Sequence, residues 1–220
     1  MPSVKIPKKS TFTDMTPFVD IAFLILSFFI MATKFKPPET VEIKTPGSVL
    51  TQKLPESNAI MISFDSLNRV FFTVLSPKDQ SKYATIIDQV DQIRTLGLSP
   101  QEKAAFKKVY MTGVPFGQLK QFLAMTPEAQ GKLKLPGIPV MDSADNQMVT
   151  WVQAAKAAFQ GEKLQILIKG DNEAKYPAFQ AVIAALKKND ELKYNLVTQL
   201  DGVPTGSELD FKQRAERAAK

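Results

Sequence analysis

One stretch limits what this chain can become more than any other: Thr16–Thr33, TPFVDIAFLILSFFIMAT. From Pro17 to Thr33 it carries a single formal charge, Asp20, and is otherwise almost wholly apolar. As a helix rising ~1.5 Å per residue it measures about 25 Å, near the lower limit for crossing a bilayer. A carboxylate at full depth in such a helix costs roughly 2.5–3.5 kcal/mol, and less near an interface. That cost makes Asp20 the residue around which the chain is organised.

Thr16-Pro17 reads as a helix start, with threonine as N-cap and proline at the first helical position, where its missing N–H is not needed. Helical spacing puts Thr16, Asp20 and Ser27 on one face. A narrow polar stripe on an apolar helix fits packing against other helices or a hydrated path better than exposure to lipid. Ser27 is equally well read as a small residue bonded to its own backbone. The basic start, with Lys5, Lys8 and Lys9, resembles a signal peptide. The run is long for one, contains an aspartate, and is followed by Lys34-Phe35-Lys36-Pro37 rather than a small-residue cleavage site, so an uncleaved anchor is the expectation. Lys34, Lys36 and Lys44 after the run nearly balance the lysines before it, and the amino terminus tilts the count toward a cytoplasmic N-terminus.

With 220 residues, 44% of them hydrophobic, the chain has room for one ordinary domain beyond the helix. Its net charge of +6 is scattered, which argues against the clustered basic face of a nucleic-acid binder. The sequence has no Cys and no His, which excludes Cys/His zinc sites, Cys or His nucleophile systems and a Ser-His-Asp triad. Gly113 and Gly117 lack the Gly-Lys-Ser/Thr ending of a phosphate loop. No catalytic, cofactor-binding or metal site is therefore expected. Asp142, Asp145 and Asn146 are an incomplete oxygen set and read as turn and cap residues.

Residues 34–58 form an extended linker, because Pro37, Pro38, Pro46 and Pro55 exclude a continuous helix. Fully extended it reaches on the order of 75–80 Å at ~3.1 Å per residue. Within it Val41-Glu42-Ile43-Lys44 alternates apolar and charged, the pattern of a short edge strand. A domain over 59–200 follows. Ala59–Phe64 and Val70–Val74 are strand-like and joined by a five-residue turn. Residues 76–145 carry helix starts at Ser76-Pro77, Ser99-Pro100 and Thr126-Pro127, so this stretch reads as a mainly helical insert. A helix from Val149 to Gln160, a strand from Leu164 to Ile168, the turn Lys169–Asn172, a helix from Tyr176 to Lys188 and a strand from Tyr194 to Thr198 complete it. Residues 201–220 read as a loose tail. Without the insert the order is strand-strand-helix-strand-helix-strand, a small α+β sheet layered with two helices.

Thr16-Pro17-Phe18-Val19-Asp20 at the head of a lone apolar run, then Val41–Pro46, Ile166-Leu167-Ile168-Lys169-Gly170-Asp171 and Tyr194–Thr198, resembles the ExbD/TolR family of biopolymer-transport proteins. The resemblance covers roughly 10–75 and 146–200. It implies a single-pass inner-membrane protein with residues 1–15 cytoplasmic, a transmembrane helix at 16–33 and a periplasmic domain. It further implies a homodimer whose two helices sit inside a pentameric ExbB-like channel protein, and a TonB-like transducer as downstream partner. Asp20 matches the family's intramembrane carboxylate, and Val41, Glu42, Ile43 and Lys44 match the strand exchanged between protomers. The insert at 76–145 departs from the short members.

Desolvation disfavours a charged carboxyl group, and the run offers Asp20 no lysine or arginine. Reversible protonation of Asp20, as part of a proton-driven motor, is the leading expectation. TolR-like or gliding-type service is the nearest alternative, and a passive anchored cell-wall scaffold is the alternative from another class.

Overall fold

The computed structural model describes residues 15–32, 41, 43–48, 54–55, 57–77 and 79–200. Two compact units divide the chain, Met1–Pro37 and Pro38–Lys220. The expectations for residues 1–14, Thr33, Glu42 and the tail 201–220 lie outside the described residues.

The first unit holds helix α1, Thr16–Ala32, 17 residues with none buried. The Val19 N–H donates to the carbonyl of Met15 at 3.1 Å. Thr16 is thus already helical rather than the N-cap, and Pro17 stands second, where its missing N–H still costs nothing. The large apolar side chains of α1 are 53–87% exposed all round the helix. Among the described residues no helix is long and apolar enough to cross a membrane.

The second unit is built on a four-stranded sheet. Strands β2 (Ala59–Phe64) and β3 (Val70–Leu75) form an antiparallel hairpin, and β4 (Gln165–Gly170) and β5 (Asn195–Val197) add in parallel, in the order β3-β2-β4-β5. Strand alternation sends Ile60, Ile62 and Phe64, with Phe72, Ile166 and Ile168, to one face. Helices α6 (Met148–Ala158) and α7 (Tyr176–Lys188), the crossovers into β4 and β5, pack there: Trp151 of α6 stacks on Phe72 at 5.2 Å, and Phe179 of α7 meets Phe64 at 6.2 Å. Ala59, Met61 and Leu167 form a smaller cluster on the other face. The expected strand and helix order outside 76–145 is therefore found. Lys169 and Gly170, read as turn, belong to β4, and Gly170 is required there because a Cβ would run into the Phe64 ring.

The insert is continuous with this core. Helices α2 (Gln80–Arg94), α3 (Pro100–Phe106), α4 (Phe116–Ala124) and α5 (Pro127–Lys132) follow one another, with α2 packed along α6 and α3 against both α2 and α4. Phe106 and Phe116 from the insert stack on Trp151 at 5.8 and 5.6 Å, so the buried tryptophan takes two of its three aromatic neighbours from it. The insert also covers the outer edge of β3. Phe72 and Thr112 exchange both backbone hydrogen bonds at 2.8 Å, and the Ile138 N–H donates to Val70 at 2.7 Å. Gly113 fits only without a side chain, because a Cβ would meet the Phe71 ring. An edge closed this way offers no free ladder to another chain.

Two of the three expected helix starts hold. Ser99 makes a capping box with Glu102, and the Thr126 hydroxyl accepts from the Ala129 N–H at 3.4 Å. Ser76-Pro77 does not begin a helix. Ser76 is buried at the end of β3, and Asp79, accepting from the Ser81 N–H at 2.9 Å, caps α2 instead. The strand expected over Val41–Lys44 is absent at Ile43 and Lys44. The Lys44 N–H donates to the Asp171 carboxylate at 3.1 Å and its carbonyl accepts from Asn172 at 2.7 Å, which leaves no backbone group for a ladder. The strand comes later, as β1 (Gly47–Ser48), parallel to β6 (Gln199–Leu200).

Lys103 of α3 ties to α2 through Asp91 at 2.7 Å and Asp88 at 2.9 Å. Its hydrogen bond, followed by that from the Leu98 N–H, holds the Asp91 carboxyl below its ordinary value, while the hydrogen bonds to Asp91 and then Asp88 raise Lys103. The lowered Asp91 stabilises the fold above the ordinary carboxylate range, an effect lost as pH falls through its folded value. The raised Lys103 contributes below the ordinary lysine range, and that part is lost as pH rises through its own folded value. Lys103→Met should therefore be less stable than the parent at neutral pH and converge with it in strong acid, as read by urea unfolding across pH. Trp151→Ala should cost about 3–5 kcal/mol in the same assay, the range for emptying a large aromatic site.

Candidate functional site

The candidate site is a face of α1. At 100° per residue Thr16, Asp20 and Ser27 fall within about 40° of one another, with Asp20 about 6 Å along the axis from Thr16 and Ser27 about 10 Å further. Phe18, Ile25 and Phe29 occupy the opposite side. The helix forms here because Leu, Ile, Phe and Met fill consecutive turns with no glycine and with proline only in the first turn.

The structure separates these polar residues by their bonding. The Ser27 hydroxyl donates back to the Leu24 carbonyl at 2.9 Å. This is the ordinary way for a helix in apolar surroundings to satisfy a serine, and it keeps Ser27 from serving as a donor to Asp20. Asp20 is exposed and has no ion pair or hydrogen bond among the described residues. The stripe therefore contains one carboxyl group, that of Asp20, without a partner among the described residues. Of the linker residues, Ile43 is buried, Val41 packs against the domain core and Lys44 lies exposed beside Asp171.

The other acidic candidates are already committed. Asp145 pairs with Arg94 at 2.7 Å, and Arg94 also bonds Thr150 and lies over the Phe116 ring. Asp142 accepts from the Ala144 N–H, and Asn146 bridges Met148 and the Ala181 carbonyl. Among the described residues no three His, Cys, Asp or Glu side chains gather to hold a metal ion. An open groove of about 310 Å³ beside α7 is lined by Met141, Asn146, Gln180, Ala181, Ala184 and Lys188 among others, without a carboxylate, and Lys188 is engaged with the Ser143 carbonyl.

One residue with an evident structural task was not singled out from the sequence. Asp171 donates its N–H to the Phe64 carbonyl at 3.0 Å, while its carboxylate accepts from Glu173 at 2.9 Å and from Lys44 at 3.1 Å. The turn Gly170-Asp171-Asn172 signals the local Asx bond. Nothing local signals the bond to Lys44, 127 positions away.

The family described as Biopolymer transport protein ExbD/TolR matches residues 8–201, a range that takes in α1, the linker and the domain. No curated protein and no solved structure matches the chain. Because Ser27 is satisfied within its own helix, Ser27→Ala should leave transport near the parental level in a complementation assay, whereas a coupling role for the hydroxyl requires a clear loss.

Proposed function

The chain belongs to the ExbD/TolR family, and from that premise we propose that it is the proton-carrying subunit of an ExbB–ExbD-type motor that energises a TonB-like transducer for outer-membrane transport. The family is one of transport-associated inner-membrane proteins working with ExbB/TolQ-like and TonB/TolA-like partners. In this reading α1 crosses the inner membrane with residues 1–15 cytoplasmic and the domain periplasmic. Two copies sit inside a pentamer of the ExbB-like protein, and Val41, Glu42, Ile43 and Lys44 serve the dimer.

The observation that carries the proposal is an apolar helix, exposed on every side, whose single carboxylate has no partner among the described residues. Lipid and partner helices are the surroundings that suit such a surface. At about 25 Å the helix is shorter than a hydrocarbon core of ~30 Å, a mismatch met by local thinning or by polar contacts near its ends. The neutral acid form of Asp20 sits against apolar helices, while the carboxylate prefers hydrated or hydroxyl-lined positions on the partner. Alternation between the two biases rotation or sliding of the helix. One proton crossing 100 mV supplies about 2.3 kcal/mol, so several must be coupled to each outer-membrane event.

A passive tether is the second reading, and the position of Asp20 about one turn inside α1 favours it, because a carboxylate there reaches the interface. TolR-like or gliding-type service stays within the motor class and differs in the transducer engaged. Asp20→Asn keeps shape and removes titration. It should abolish proton-dependent transport at unchanged membrane level, and full activity of the variant would refute the motor reading. A passive tether predicts instead that an unrelated apolar helix replaces residues 17–33 without loss.

A further inference from the structure

We propose that hydrocarbon thickness regulates the Asp20 site of the unassembled subunit. Helix α1 offers a bilayer two apolar lengths about one turn apart, and the lipid decides whether Asp20 stays among the headgroups or is drawn below them. This regulation acts before a partner encloses α1, and it rests on the reading above that α1 crosses the membrane.

Asp20 stands fifth in a 17-residue helix. Beyond it the twelve residues Ile21–Ala32 carry no charge, and the one polar side chain among them, Ser27, satisfies itself on the Leu24 carbonyl at 2.9 Å. Nothing else in that stretch resists hydrocarbon, so it covers about 18 Å at ~1.5 Å per residue. Before Asp20 come Pro17, Phe18 and Val19, apolar as well, with Phe18 68% and Val19 62% exposed. Including this turn lengthens the apolar span to about 24 Å and takes Asp20 in with it. The sequence carries Asp14 just before the helix, which limits the longer span. After Ala32 it runs Thr33-Lys34-Phe35-Lys36, whose lysines favour the headgroup level. Adjustment to thickness therefore falls on the Thr16 end.

A typical hydrocarbon core is ~30 Å thick. With Asp20 at the headgroups α1 falls short of it by about 12 Å, and drawing in the first turn halves the deficit to about 6 Å. Mismatch costs energy for every ångström, so thick lipid favours the deeper seat. Asp20 then lies only about one turn deep, where the penalty for a carboxyl group is reduced. A hydrocarbon core of about 20 Å reverses the balance. There the stretch after Asp20 suffices, and immersing the carboxyl group gains nothing. Phe18 suits the headgroup level in that state, as aromatic side chains do. Lipid thickness thus sets how far the chain has committed Asp20 to apolar surroundings when it meets its partner.

The chain has no cysteine, so a single introduced thiol reports depth. The full chain carrying Val19→Cys is reconstituted in vesicles of dilauroyl, dimyristoleoyl, dioleoyl or dierucoyl phosphatidylcholine, in order of rising thickness, with a charged maleimide on both sides. Labelling should be at least roughly tenfold slower in dioleoyl than in dilauroyl vesicles, as the first turn sinks. Adding Asp20→Leu removes the polar stop, so labelling should be slow in every lipid and the contrast should vanish. Equal rates for Val19→Cys across the series, or a contrast that persists with Asp20→Leu, would overturn the proposal. Leu26→Cys, at mid-helix, tests the span itself. Slow labelling there in all four lipids, beside an unresponsive Val19→Cys, keeps the span and refutes the thickness effect. Rapid labelling of Leu26→Cys in all four refutes the span and the proposal with it.

Discussion

The first unit of this chain turns on the cost of surrounding a carboxylate with apolar helix. Apart from the stripe of Thr16, Asp20 and Ser27 the surface of α1 is hydrocarbon, and its one charged group finds no compensating cation or donor among the described residues. In the proposed function such a helix takes non-aqueous cover, where an aspartate is costly without a partner. Cover and partner both point outward in that reading, to lipid and to another protein. The bonding of Ser27 to Leu24 sharpens this, because it withdraws the hydroxyl that lies two turns beyond Asp20 on the same face.

The second unit is built on a different footing, a buried sheet closed by its helices. Its sheet is buried under α6 and α7 on one face and shielded along β3 by the insert, whose Thr112 and Ile138 take up the backbone groups of Phe72 and Val70. Trp151 joins sheet and insert in one aromatic stack, so residues 76–145 cannot be viewed as an appended module. In β2 every residue is buried, and beside the sheet Ile43 is buried while the Lys44 backbone bonds Asp171 and Asn172.

Local signals carried much of this into the sequence. Tyr176–Lys188 shows as a helix because its apolar residues recur at helical spacing, and Ser99 and Thr126 announce helix starts because their caps depend on neighbours three residues away. The failures are non-local. Ser76 lost its cap to Asp79 because the end of β3 buries it. α4 begins at Pro115 with no side-chain cap, its first amide served by Gln147 from 31 positions away. Val41–Lys44 has the alternation of a strand, yet the Lys44 backbone is claimed by Asp171 and Asn172. Trp151 gave no hint of its place at the centre, because Phe72, Phe106 and Phe116 reach it only in the fold. In the candidate site the spacing of Thr16, Asp20 and Ser27 is legible, since a helix converts spacing into a face; the inward bond of Ser27 is one of the two readings the sequence allows.

The central claim is that the Asp20 side chain gains and loses a proton inside an apolar assembly. The most direct measurement is infrared difference spectroscopy of the chain with isotope-labelled aspartate, in liposomes with its channel partner, as the proton gradient is imposed and reversed. The account predicts a protonated-carboxyl band, assigned by its absence in Asp20→Asn, that appears and disappears with the direction of the gradient. A carboxylate signal from Asp20 that stays constant under both gradients would contradict it.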